Sequence, residues 1–204
     1  MIDITRRLDN GFPVWPGDTP FSYELTWKIS EGSSVNVGKL ITTTHLGTHL
    51  DAPWHYLPDG ERLDQIPLDT LIGSCQVIDA RGRAAIDLEL LQTLKTFSQR
   101  LLFYTGQPNH WAAFPSIIPV VPAAIAHMAA QGVRLFGTDC PSVDPLDSKD
   151  LLAHKAFGRS GIYILEGLAL ADIAPGPYEL IALPLNLIGA DAAPVRAILR
   201  GGRR

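Results

Sequence analysis

Apolar residues recur at every second position through two early stretches of the chain. Phe21, Tyr23, Leu25, Trp27 and Ile29 alternate with other residues, and Val35, Val37, Leu40 and Ile41 follow the same habit with a slip near Gly38. A period of two is that of a strand with one packed face, and a slip beside a glycine fits a bulge. Glu31-Gly32-Ser33-Ser34 lies between them, so the pattern predicts an antiparallel hairpin over 21–29 and 35–44. Before it come a short alternating piece at Ile2-Asp3-Ile4-Thr5, a turn at Asn10-Gly11-Phe12-Pro13, and the loop Trp15-Pro16-Gly17-Asp18-Thr19-Pro20.

From residue 75 onward the pattern changes. Apolar runs at 75–78, 101–104, 133–138, 162–167, 178–183 and 193–199 read as strands. Helical stretches fall between them at 86–94, at 122–130 with a stop at Gly132, and at 151–157 with Asp147 or Ser148 as its cap. The stretch 109–119 is irregular, and Trp111 and Phe114 within it have no evident task. Alternation of this kind predicts an α/β fold, without a nucleotide-binding fingerprint and without internal repeats. At 204 residues the chain suits one domain over 1–204, although two smaller units also fit.

Composition narrows the function classes. The chain is 46% hydrophobic and carries a formal net charge of -4, so no broad basic field points to a nucleic acid. The basic run from Arg200 to Arg204 is short and reads as a frayed tail. No stretch has the length of a membrane span or the form of a signal peptide, which gives the expectation of a cytoplasmic protein. Cys75 and Cys140 are far apart; they form one disulfide or remain two reduced thiols.

The chemistry concentrates after the hairpin. Three of the six histidines and one aspartate fall between His45 and His55. If that segment is extended, His45, Gly47, His49 and Asp51 share one face, and His55 follows a turn at Pro53. Imidazoles beside a carboxylate suit a borderline transition metal; a solvated strand face with idle histidines is the plain alternative. Glu166 interrupts an apolar run, where a buried carboxylate needs a partner or a metal, unless it lies at a surface edge. His154 is a further candidate, whereas His110 and His127 fit solvated or core-edge positions better. Asp139 could orient a ligand or cap a turn, and a Cys140 nucleophile lacks a compact Cys/His signal. The loop at 57–61 is near enough to cover a pocket, or is an ordinary surface loop. No nucleophile elbow, P-loop or HExxH motif is present.

The stretch His45-Leu46-Gly47-Thr48-His49-Leu50-Asp51-Ala52-Pro53-Trp54-His55 has the pattern HxGTHxDxPxH and resembles the metal-binding motif of the metal-dependent cyclase-like hydrolases. The resemblance covers most of the chain. It extends to the opening Pro13-Val14-Trp15-Pro16-Gly17-Asp18-Thr19-Pro20, to Gly137-Thr138-Asp139, and to His154 and Glu166, features shared with the bacterial kynurenine formamidases of that family. It implies a swivelling β/β/α fold with a mixed sheet and flanking helices, in a homodimer. It also implies two zinc ions, one on His45, His49 and Asp51 and the other on Asp51, His154 and Glu166, with Asp51 and Glu166 shared. His55 is then the proton donor or acceptor, and Trp15 contacts an aromatic formamide, N-formyl-L-kynurenine. A cyclic aryl-amide hydrolase such as an isatin hydrolase, with manganese, is the related alternative. A non-catalytic metal-binding protein is the alternative of another class.

Overall fold

A computed structural model describes residues 1–201. In chain order the elements are β1 (Ile2–Asp3), β2 (Ser22–Trp27), β3 (Val37–Ile41), β4 (His49–Asp51), α1 (Leu68–Leu71), β5 (Ile72–Asp79), α2 (Leu88–Gln92), β6 (Arg100–Tyr104), α3 (Pro122–Ala130), β7 (Leu135–Thr138), α4 (Leu152–Arg159), β8 (Tyr163–Glu166), β9 (Gly176–Pro184) and β10 (Ala192–Gly201). Eight of the strands form one mixed sheet in the order β1-β10-β4-β8-β7-β6-β5-β9. Strands β5 to β8 run parallel, and β4, β9 and β10 are antiparallel to their neighbours. Because β9 pairs with β5 on one side and with β10 on the other, the sheet closes on itself as a barrel.

Closure separates two apolar regions. Side chains pointing inward, among them Leu50, Val77, Leu102, Leu165, Leu180 and Val195, fill the barrel. Those pointing outward from the parallel strands, including Phe103, Phe136 and Ile164, meet Leu91 of α2, Ile125 and Met128 of α3, and Phe157 of α4. Strands buried on both faces need apolar side chains in both directions, which is why β6 reads as the unbroken run Leu101-Leu102-Phe103. This is the expected α/β architecture with a mixed sheet and flanking helices.

The early hairpin exists, but as a separate two-stranded sheet of β2 and β3. Its irregularity lies between Leu25 and Trp27 of β2, across from Val37 and Gly38, so the bulge is on the opposite strand from the expected one. The second strand also stops earlier than the pattern predicts, at Ile41 and not at Thr44. Residues 42–48 turn, and Gly47 adopts a left-handed φ of 60°. His45 and Gly47 therefore do not lie on an extended face; only His49 and Asp51 occupy a strand. The short helix α1 carries no periodic signal at its length and was not predicted. Arg200 and Gly201 continue β10, while the rest of the basic tail lies outside the described residues.

Gly167, directly after β8, fixes how closely this turn approaches the sheet. It has a φ of 65°, and a Cβ there would stand 2.0 Å from the Gly47 carbonyl oxygen. The Thr48 hydroxyl donates to the Gly167 carbonyl at 2.6 Å, tying the same two segments together. Gly167→Ala is expected to cost about 3 kcal/mol or more, through strain at positive φ and the displaced backbone. Chemical denaturation checks this; a loss below about 1 kcal/mol would show that the two segments separate without penalty.

Candidate metal centre

The centre is built outward from β4, which has only three residues. Directly opposed residues of an antiparallel pair project on the same face. His49 pairs with Glu166 and Asp51 with Ile164, so His49, Asp51 and Glu166 share the face on which Ile164 packs towards the helices. Helix α4 crosses that face and brings His154 to the same place. On the other side β10 sets Pro194 against His49 and Ala192 against Asp51. Pro53 then begins a one-turn helix that ends at His55 and returns that ring towards the group.

The side chains converge closely. Asp51 Oδ1 lies 3.0 Å from His45 Nδ1 and 3.4 Å from His49 Nε2, and Asp51 Oδ2 is 3.7 Å from His154 Nε2. Glu166 reaches His49 Nε2 at 3.3 Å and His154 Nε2 at 3.7 Å. Yet both Asp51 oxygens, Glu166 Oε1 and His49 Nε2 are buried without a hydrogen-bond partner. Each such group would ordinarily cost about 1–3 kcal/mol. The donor atoms of His45, His49 and Asp51 lie within 4.8 Å of one another, as do those of Asp51, His55 and His154. Unpartnered imidazole nitrogens and carboxylate oxygens around a common centre are the donor set of a transition metal, and these residues fit one.

The second nitrogen of each ring is already engaged. His49 Nδ1 donates to the Gly47 carbonyl at 3.1 Å, and His154 Nδ1 donates to Asp144 at 2.7 Å, which leaves Nε2 of both rings facing the carboxylates. Asp144 also accepts from the backbone N–H groups of Ala153 and His154 at 2.9 and 3.0 Å. It thereby caps α4 in place of the expected Asp147; Ser148 accepts only from Leu151, at 3.3 Å. Such outer partners fix ring orientation and raise ligand basicity. A capping position ahead of a helix was the signal that could have found Asp144. Nothing in the sequence marked Asp191, whose carboxylate accepts from His45 Nε2 at 3.0 Å, or Tyr56, whose ring lies 5.2 Å from that of His154.

Electrostatics follow from burial and this crowding. Burial disfavours charge on His45 and His49, but the neighbouring carboxylates outweigh it and push them up to about 9 and about 10. Burial likewise opposes ionisation of Asp51, and the flanking imidazoles nevertheless hold it well below the usual carboxylate range. Glu166 is pushed up by burial and by the charge on Asp51. His55 behaves in the opposite way. Burial, with Asp51 opposing and the like charges of His45 and His154 adding to it, lowers it to about 4.

A cavity of about 250 Å³ opens on this group and is walled by Phe12, Trp15, Trp111, Phe114, His55 and Glu166. Trp15 meets Phe114 edge-on with centroids 5.4 Å apart, and Trp111 packs on Phe12 beneath the Arg6 guanidinium. The two aromatic residues without an evident task in the sequence are therefore cavity walls. The 57–61 loop does not line the cavity; it folds against Pro53 and Trp54, with Gly60 too close to Pro53 to admit a Cβ. Asp139 takes the turn-capping reading, accepting from the N–H groups of Thr105, Gly106 and Gln107. Cys75 and Cys140 are free and buried, and burial raises both thiols, which removes the Cys140 nucleophile. His110 and His127 lie elsewhere, the latter against Phe97.

Asp51 presents one oxygen to His45 and His49 and the other to His154, so its removal is expected to abolish metal binding on both sides. Elemental analysis of Asp51→Ala should show little metal, whereas His154→Ala should lose the metal on its own side only. Undiminished stoichiometry in Asp51→Ala would refute the shared position, with circular dichroism verifying the fold.

Known proteins resemble this chain in sequence and in fold. The family described as "Putative cyclase" matches residues 2–145, a span that contains the β4 motif and ends before His154 and Glu166. A kynurenine formamidase of Geobacillus thermodenitrificans is 49% identical over 201 residues, covering 98% of this chain and 96% of the relative. One from Erythrobacter litoralis is 46% identical, covering 97% and 92%. A solved structure described as a potential metal-dependent hydrolase with cyclase activity superimposes with a TM-score of 0.80 at 30% identity, covering 97% of this chain and 95% of that one. Isatin hydrolase A from Labrenzia aggregata shares the fold, with a TM-score of 0.80 at 22% identity over 99% and 93% of the two chains. With its buried donor set and cavity, this chain belongs to the cyclase family of metal-dependent hydrolases and is a close homologue of the bacterial kynurenine formamidases.

Proposed function

We propose that this metal-dependent amide hydrolase is an arylformamidase acting in tryptophan degradation. It would cleave N-formyl-L-kynurenine to formate and L-kynurenine. The observation that carries the reading is the set of unpartnered donors on His49 and Glu166 lining an aromatic-walled cavity, with the unpartnered Asp51 carboxylate buried directly behind them. Two zinc ions are the proposed cofactors, one held by His45, His49 and Asp51, the other by Asp51, His154 and Glu166. When bound, such a pair supplies Lewis acidity that polarises a carbonyl and makes water more acidic.

The residues divide the remaining work. Trp15, edge-on to Phe114, offers an apolar face to the aryl ring and so places the formyl group towards the floor of the cavity. His55 stands beside the donor set, its ring 4.0 Å from that of His45 between centroids, and an imidazole there can accept a proton and return it. Water adds to the formyl carbon as His55 takes its proton; the C–N bond then breaks, and His55 returns the proton to the departing aryl amine. The amine leaves with that proton, and the formic acid formed gives its remaining acidic proton to solvent and departs as formate. Phe12 and Trp111 exclude bulk water from the floor and strengthen the electrostatics there.

The proposal extends to a cytoplasmic homodimer that uses neither nucleic acid nor membrane. No helix among the described residues is long and apolar enough to cross a membrane. The β2–β3 hairpin exposes Tyr23, Trp27 and Leu40, each more than half accessible, and a second copy of the chain would cover them.

A metal-defined activity panel tests the substrate. N-formyl-L-kynurenine is expected to release formate in preference to simple formanilides, with isatin left intact. Exclusive opening of isatin, best with manganese, would replace the formamidase reading by a cyclic-amide hydrolase. For His55→Ala, full metal content with turnover reduced about 10²–10⁴-fold is expected. Unchanged turnover under rate-limiting chemistry would exclude its proton-transfer role.

A further inference from the structure

We infer that Asp191 is a positioning residue of this site, orienting His45 towards the metal and keeping His55 in register beside it. The inference rests on the metal-dependent hydrolase reading and adds a carboxylate outside the ligand set. Its placement follows from the sheet. Ala192, the first residue of β10, pairs with Asp51, and the Asp191 carbonyl accepts from the Ala52 N–H at 2.8 Å. The pairing that sets the shared carboxylate thus also sets Asp191 at the end of β4.

Both oxygens are then occupied by the motif segment. Oδ1 accepts from the Thr44 hydroxyl at 2.9 Å, and Oδ2 accepts from His45 Nε2 at 3.0 Å. A carboxylate can only accept, so the hydrogen on His45 resides at Nε2 when the ring is neutral. The lone pair is left at Nδ1, the atom 3.0 Å from Asp51. The same Oδ2 stands 3.9 Å from His55 Nδ1, and the His45 and His55 rings lie 4.0 Å apart between centroids. One carboxylate oxygen therefore faces both the proposed ligand and the proposed proton carrier.

His45 has particular need of such an anchor. Its side chain is 21% exposed, against 3% for His49 and 5% for His154, so packing constrains its ring least. The buried rings have the Gly47 carbonyl and Asp144 as their second partners; His45 has Asp191.

Asp191→Asn and Asp191→Ala test this by metal titration of the apo-protein and by kinetics of the metal-loaded enzyme. Zinc affinity is expected to fall about 10–100-fold in Asp191→Ala, and less in Asp191→Asn, whose amide oxygen can still accept from His45. Excess zinc should restore full stoichiometry while kcat stays about ten-fold down and KM for N-formyl-L-kynurenine is unchanged, because His55 remains unsupported. Unchanged zinc affinity in both variants would overturn the inference. So would the permanent loss of one zinc equivalent at saturation, which would make Asp191 a ligand, or full recovery of kcat with excess zinc. The titration needs no substrate, so a failed formamidase reading and a failed role for Asp191 are distinguishable.

Discussion

The charge on Asp51 imposes the strictest condition on this structure. The carboxylate is buried, neither oxygen has a hydrogen-bond partner, and imidazoles approach it from both sides. An ionised group in such a place is stable only if positive charge stands beside it, and removing that charge costs several kcal/mol. His45 and His49 stand beside the carboxylate, and metal ions would supply the charge in the proposed enzyme. The nearby elements meet this condition. Strand β8 adds Glu166 opposite His49, α4 adds His154, and β10 places a backbone wall on the other side.

The barrel makes that placement rigid. A strand as short as β4 has little stability of its own, and it persists because β10 and β8 flank it on both edges. Its middle residue, Leu50, points into the filled interior while His49 and Asp51 point outward to the helices. Slippage by one residue would bury both polar side chains in the barrel and expose Leu50, so register and chemistry are fixed together. Gly47 and Gly167, in contact through backbone alone, let the turn carrying His45 close over the end of β8.

Around this fixed centre the rings are oriented by partners of different kinds. A main-chain carbonyl serves His49, a helix-capping aspartate serves His154, and a strand-end aspartate serves His45. Each partner performs a structural task as well. Asp144 satisfies the start of α4, and Asp191 bonds Thr44 and joins β10 to the segment after β4. Orientation of the rings therefore draws on the same interactions that hold the fold together.

Local pattern determined a good deal of this protein. The alternation in β2 and β3, the apolar runs of β6 to β8 and the stop of α3 at Gly132 were legible, because burial on a strand or helix face imposes a period on the sequence. The HxGTHxDxPxH motif was legible because its residues are chain neighbours; Glu166, a carboxylate in an apolar run, and His154 were candidates from the sequence, and the resemblance gave them their ligand roles. The extended face drawn through His45 was wrong, since Gly47 turns the chain. The cap of α4 was assigned to Asp147 or Ser148, nearer in sequence than Asp144. Only the tertiary structure brought Asp191 to His45 and turned Trp111 and Phe114 into cavity walls. Those contacts join segments far apart in the chain, and the closure of β9 onto β10, which no single strand encodes, decides which distant side chains meet.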